Sequence, residues 1–165
     1  MQCMIEKKYF SIEEIKRKLE RYCVYQDRCH QEVATKLNEF VLIEEARNQI
    51  LLHLLEHDFL NEERFSKSFA RGKFRLKKWG KQRIIREMKQ RAISAYNIKV
   101  ALREIDDTAY LDTLFEITEK RNGLIRETNL FKRKKKLSDY LIRKGYEFEL
   151  IYSTVDAVVN KSHDS

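Results

Sequence analysis

Proline is absent from the chain, and glycine occurs only four times in 165 residues. Proline ends helices and glycine weakens them, so their scarcity leaves helix open almost everywhere. It also speaks against a sheet protein, which needs more turn residues. Cysteine is scarce too. Its three copies, Cys3, Cys23 and Cys29, are odd in number, and no apolar run behind Met1 has the form of a secretory leader. A disulfide framework is therefore not expected, and a reducing cytosol is the expected compartment. No apolar stretch approaches the roughly 20 residues of a membrane span, and the run Ile50-Leu51-Leu52 is broken at once by His53. There is no glycine-rich phosphate loop, and no nucleophile–base pair can be placed. Neither an enzyme nor a cofactor is expected.

What the chain does have is charge. Charged residues make up 36%, and the formal net charge is +8. An average domain carries roughly 25% charged residues, so wide solvated helix faces are expected here. The distribution is banded. From Glu32 to Glu63 there are eight acids and two bases, a net of −6. From Arg71 to Arg91 there are ten bases and one acid, a net of +9. Glu104 to Glu119 holds six acids and no base, and Lys132-Arg133-Lys134-Lys135-Lys136 follows. Clustered like charges repel, so these bands point to an acidic partner such as nucleic acid or an anionic protein surface.

The charge alternates with a period of roughly 50 residues, a length typical of repeat architectures. The apolar pattern repeats with it. Ser11-Ile12-Glu13-Glu14 reads as a capping box that starts a helix with Ile12, Ile15, Leu19 and Tyr22 on one face. A second helix is expected from about Asp27 and a third from about Leu42, the latter carrying Ile43, Ala46, Ile50 and Leu54. Asn61-Glu62-Glu63 starts the next trio, whose first helix is expected to end at Gly72 or near Trp79-Gly80. Ser94 caps its last helix. The third trio opens at Asp107 or Thr108, breaks at Asn122-Gly123, and continues through Phe131, Leu137, Tyr140 and Leu141 to Lys144-Gly145. Phe148, Ile151, Val155 and Val158 form its last stripe.

The units superpose on shifting. With 51 residues, Val33 falls on Ile84 and Leu37 on Met88. With 53, Met88 falls on Leu141, Ile93 on Tyr146, Ile98 on Ile151 and Leu102 on Val155. The expected fold is all-α, an elongated, curved array of three tandem three-helix repeats, at 10–58, 59–106 and 107–159, with a frayed tail at 160–165. Each unit buries too little apolar surface to stand alone, so stacking on its neighbours is expected to stabilise it.

Several stretches carry a resemblance. They are Tyr25-Gln26-Asp27-Arg28-Cys29-His30-Gln31-Glu32-Val33, Phe59-Leu60-Asn61-Glu62-Glu63-Arg64-Phe65, Phe69-Ala70-Arg71-Gly72-Lys73, Lys78-Trp79-Gly80, Asn129-Leu130-Phe131-Lys132 and Tyr140-Leu141-Ile142-Arg143-Lys144-Gly145-Tyr146. Over residues 10–159, in three-repeat order, the chain resembles the RecX family of bacterial RecA regulators. The resemblance implies a monomeric, non-catalytic protein that binds the RecA filament, and with it single-stranded or double-stranded DNA. It further implies that the protein limits filament growth, strand exchange and co-protease function. The first repeat has no glycine matching Gly80 or Gly145, which sets its second helix apart.

The expected contact face carries Arg71, Lys73, Arg75, Lys77, Lys78, Lys81, Arg83 and Arg86, joined by Lys132, Arg133, Lys134, Lys135 and Lys136. The bands fall around the first-to-second helix junctions of repeats two and three, so cations are expected along one edge. A plain basic nucleic-acid-binding protein is the alternative. A remoter one is a zinc peptidase, because His53-Leu54-Leu55-Glu56-His57 fits H-x-x-E-H. That pattern lacks a clear third ligand, and two histidines near a helix C-terminus are favourable on dipole grounds alone. Cys23, Cys29 and His30 fit no common zinc spacing, and no metal is expected. Trp79, set among cations, suits base stacking, but packing at a helix junction is the commoner use of a large aromatic.

Overall fold

The computed structural model describes residues 9–161, and Cys3 lies outside them. These residues form nine helices: α1 (Ile12–Tyr25), α2 (His30–Leu37), α3 (Glu44–Glu56), α4 (Glu62–Lys77), α5 (Lys81–Gln90), α6 (Ala95–Leu102), α7 (Asp107–Leu124), α8 (Leu130–Lys144) and α9 (Phe148–Lys161). The principal packing is α1 on α3, α4 on α6, and α7 on α9 with α8. The architecture is therefore three tandem three-helix units.

Local chemistry starts the helices. Ser11 and Glu14 form the full capping box, with Ser11 N–H donating to Glu14 Oε2 at 2.8 Å. Asn61, Ser94, Asp106 and Asn129 each accept an amide from three residues on. Each such cap contributes about 1 kcal/mol. The superposed apolar positions Val33, Ile84, Leu37, Met88 and Leu141 are all fully buried, and Ile93, Tyr146, Ile98, Ile151 and Val155 are buried as well.

Several details differ from the sequence reading. The second helix starts at His30, because Asp27 serves as a tertiary partner of Arg64 and Ser68 at 2.9 and 2.7 Å. Ile43 precedes α3 and is exposed, as are Phe131, Phe148 and Leu111. Of the two endings expected for α4 the chain turns at Lys78–Gly80, so Gly72 lies inside the helix, while α7 ends at Leu124, one residue past Asn122-Gly123. A helical glycine costs only about 1 kcal/mol, which the packing of long helices overrides. At the other end, α9 runs through Lys161, two residues into the segment expected to fray, and residues 162–165 are outside the described range.

The units are not equally stacked. Units two and three share one continuous hydrophobic core from Phe65 to Val159. Unit one has its own core, built on Ile15, Leu19, Val33, Leu37, Ile50 and Leu54 and closed by Phe40 and Leu60. Only Cys29 of unit one belongs to the larger core. The rest of the joint includes a polar lock in which Arg64 bridges Asp27 and Asp58 at 2.9 and 2.8 Å.

Units two and three are joined at a helix end. Gly80, the residue before α5, has no side chain to cap it. Its N–H donates to the Lys144 carbonyl at 2.8 Å, and Gln82 N–H donates to the Gly145 carbonyl at 3.0 Å. Lys81 N–H donates to the Tyr110 hydroxyl at 2.9 Å, which in turn donates to Glu147 at 2.8 Å. The unpaired amides of α5 thus take up the unpaired carbonyls of α8. The two glycines, one before α5 and one after α8, face one another. A Cβ on Gly80 would lie 2.2 Å from the Gly145 oxygen. A Cβ on Gly145, where φ is +92°, would lie 2.3 Å from Arg83 Cβ.

Substituting either residue should separate the units. Gly80→Ala and Gly145→Ala are each expected to cost about 3 kcal/mol or more in urea unfolding. Gly123→Ala, which meets nothing within 4 Å, is expected to be neutral or stabilising by up to about 1 kcal/mol. Equal effects at all three sites would refute the close-contact account.

Candidate nucleic-acid interface

The basic band of unit two lies on the C-terminal half of α4, the turn Lys78–Gly80, and α5. Lys78 takes a left-handed conformation with φ 54°. This reverses the chain and sets α5 back toward unit three. Lys144 then reaches over, its ammonium donating to the Lys77 carbonyl at 2.9 Å. Arg83 donates to the Arg143 carbonyl at 3.1 Å. Lys77, Lys78, Arg83, Arg143 and Lys144 therefore converge at the α5–α8 joint. None of the five is paired with a carboxylate among the described residues.

Like-charge crowding leaves a mark. Partial burial, with the Arg83 and Lys77 charges beside it, holds the Lys144 pKa below the usual lysine value. Arg83 Nε is buried without a hydrogen-bond partner. An anion at this joint would relieve both conditions. The α5 N-terminus itself is already filled by α8 carbonyls, so its amides offer no open anion site.

Trp79 sits in the same place. It packs against the shared core, with the Arg83 guanidinium 4.1 Å and the Lys73 ammonium 5.0 Å from its ring. Packing is thus its structural role. Its neighbours hold cations over it.

The other expected residues divide. Arg75 and Arg86 are exposed, with no acid against them among the described residues. Arg71 pairs with Glu104 and Lys81 with Asp107, both at 2.7 Å. The second band stands at the far end of α8. At about 1.5 Å per residue, Lys132 to Lys136 are roughly 12–18 Å from Lys144 along the axis. The fold therefore makes two patches of the single expected face. The second patch is also largely neutralised. Lys134 pairs with Asp156 at 2.7 Å, Lys135 with Asp139 at 2.8 Å and Lys136 with Glu127 at 3.3 Å. Arg133 turns inward, donating to the Asn122 side chain at 2.7 Å, the Asn122 carbonyl at 2.9 Å and the Glu127 carbonyl at 3.1 Å. Lys132 alone of this run is exposed and makes no ion pair among the described residues.

Arg143 and Lys144 are the additions that sequence reasoning missed. They are 67 residues from Lys77 in the case of Lys144, and no local pattern signals that approach.

The histidine motif is structural in geometry. His53 Nε2 lies 2.6 Å from Glu20 Oε1 across α1 and α3. His57 Nδ1 bonds the His53 carbonyl at 2.9 Å, while Glu56 is exposed. Among the described residues no group of three His, Cys, Asp or Glu is placed to hold a metal. Cys23 and Cys29 are buried and unbridged. No helix among the described residues is long and apolar enough to cross a membrane.

With this geometry in hand, known proteins are informative. Residues 61–102 match the family description "RecX, second three-helix domain", and residues 108–155 match "RecX, third three-helix domain". The chain is 24% identical over 144 residues to the "Regulatory protein RecX" of Bacillus cytotoxicus, covering 87% of this chain and 53% of that one. It is 25% identical over 138 residues to the protein of the same name from Clostridium perfringens, covering 82% and 64%. It thus spans roughly half to two thirds of the length of these curated relatives. The crystal structure of RecX from Lactobacillus salivarius superposes with a TM-score of 0.76 at 20% identity, covering 89% of this chain and 96% of that one.

Arg133 and Lys132 separate structural from binding charge. Arg133→Met removes two charge-assisted hydrogen bonds to the buried Asn122 and is expected to cost about 2 kcal/mol. Lys132→Met should stay within about 0.5 kcal/mol. Comparing their urea midpoints checks the assignment, and a silent Arg133→Met would reverse it.

Proposed function

Because the chain belongs to the RecX family of regulatory proteins, we propose that it binds the filament that RecA forms on single-stranded DNA. There it limits ATPase, strand exchange and co-protease activity. One observation carries the reading at residue level: Lys77, Lys78, Arg83, Arg143 and Lys144 gather at the α5–α8 joint without carboxylate partners among the described residues. Lys73, Arg75 and Arg86 extend this charge and the ion-paired Arg71 and Lys81 flank it, while Lys132 with the ion-paired Lys134 to Lys136 forms a second patch at the far end of α8. The proposed mechanism is steric and electrostatic. A module held rigid across units two and three by a shared core lies against phosphates and acidic filament surface and hinders assembly. The reading assigns the chain no catalytic step and no cofactor, and it places the chain in the cytosol as a monomer.

Phosphate contacts make affinity fall with salt, by about 0.7 log units per log salt for each single-strand contact. Replacing Lys77 and Lys144 by glutamate should therefore flatten the salt slope for single-stranded DNA by about 1.4.

The decisive assay adds the purified protein to RecA on single-stranded DNA near stoichiometric amounts. ATPase and strand exchange should fall, and the Lys77→Glu/Lys144→Glu variant should restore most of both. No effect of the parent protein would sink the proposal. Tight DNA binding without any RecA effect would favour the general nucleic-acid-binding alternative.

A further inference from the structure

A second surface lies where unit one meets unit two. The C-terminal end of α1 and the outer face of α4 enclose a groove of about 550 Å³. Its walls mix polar and apolar groups, and three large apolar side chains on them are open to solvent. Val24 is 73% exposed, Tyr25 86% and Leu76 82%. Large apolar side chains this exposed, grouped around one depression, mark an interaction site rather than scattered surface.

Gly72 forms part of the floor. It lies inside α4, where glycine weakens a helix, and its backbone is not in the left-handed region. A Cβ there would meet nothing within 4 Å. Neither packing nor chain reversal therefore requires glycine at this position. What its missing side chain does is keep the groove deep.

Charge completes the picture. Lys73 and Lys77 border the groove without carboxylate partners among the described residues, and Arg91 lines it. The acids that also line it are already engaged. Asp27 is held by Arg64 and Ser68, and Glu32 accepts the Cys29 amide at 3.2 Å. Glu32 keeps its charge, so the lining stands at three cations to two acids, a net positive field.

We propose that this groove binds a short peptide segment with one apolar anchor residue flanked by carboxylates. The anchor sits over Gly72 between Tyr25 and Leu76, and the carboxylates meet Lys73 and Lys77. A protein segment fits better than nucleic acid. Bases need aromatic faces, and the Phe69 ring is already covered by Lys73 and Arg91 at 5.2 and 5.0 Å. Of the exposed wall residues, Val24 and Leu76 are aliphatic and give a base no face, and Tyr25 between them is the aromatic one. This site is distinct from the α5–α8 joint in its apolar anchor around Gly72, and it shares Lys77 with that joint.

The test is a titration of the ¹⁵N-labelled protein with acetylated octapeptides. Each has a central Leu or Phe with two Glu or Asp on either side, and controls replace the acids by Gln or Asn. Saturable shifts at Tyr25, Gly72 and Leu76, with at least tenfold weaker binding by the neutral controls, are the expected result. Gly72→Leu should weaken binding at least tenfold while leaving octathymidylate binding unchanged. Gly72→Ala should melt no lower than the parent, which keeps the readout free of folding effects. No saturable binding up to roughly millimolar peptide, equal affinity for the neutral controls, or indifference to Gly72→Leu would overturn the proposal. So would octathymidylate moving the groove resonances in place of the peptides.

Discussion

The structure depends on one reciprocal arrangement, in which the first amides of α5 take up the last carbonyls of α8. Helix ends leave donors at one terminus and acceptors at the other, and most helices here satisfy the donors with a serine, asparagine or aspartate of their own. At Gly80 no such side chain is present. The solution is tertiary, and it works only because both backbones come close enough to touch. That requirement explains glycine at Gly80, glycine at Gly145, and Tyr110 bridging Lys81 to Glu147. It also explains why the cations crowd. Helix ends brought together carry their flanking lysines and arginines with them, and Lys144 ends against Arg83 and Lys77.

The same arrangement divides the molecule mechanically. Units two and three share a core and a helix-to-helix joint, whereas unit one closes its own core and leans on a polar lock around Arg64. Buried apolar surface is hard to part, and exposed ion pairs are worth roughly 0–1 kcal/mol. Relative motion, where it occurs, therefore belongs to the joint between units one and two, where the groove lies. The banded charge is resolved in space as well. Acidic stretches that alternate with basic ones along the chain fold against them, as Glu104 does on Arg71 and Asp107 on Lys81. The cations that matter for a partner are those left over.

Much of the fold was legible in the sequence because it is set locally or periodically. Ser11, Asn61 and Ser94 are caps in both reading and structure, and the register that superposes Val33 on Ile84 and Met88 on Leu141 selects buried positions. The site was legible only in part. The +9 band located α4 and α5, but charge counting cannot tell Arg133, spent on Asn122, from Lys132, which is exposed. Nor can it bring Lys144 to Lys77, since that proximity is made by the glycine contact and by nothing nearby in sequence. Of the two endings offered for α4, Gly72 or Trp79-Gly80, the chain takes the second, because a helical glycine weakens a helix without ending it.

Trp79 has a consequence of its own. It is the single tryptophan of the chain, and it stands between the Lys73 ammonium and the Arg83 guanidinium. Indole emission responds to nearby charge and to solvent, so light absorbed at the red edge of the protein spectrum reports on this one joint. The molecule carries its own optical probe at the place where units two and three meet and where Lys77, Lys78, Arg83, Arg143 and Lys144 gather.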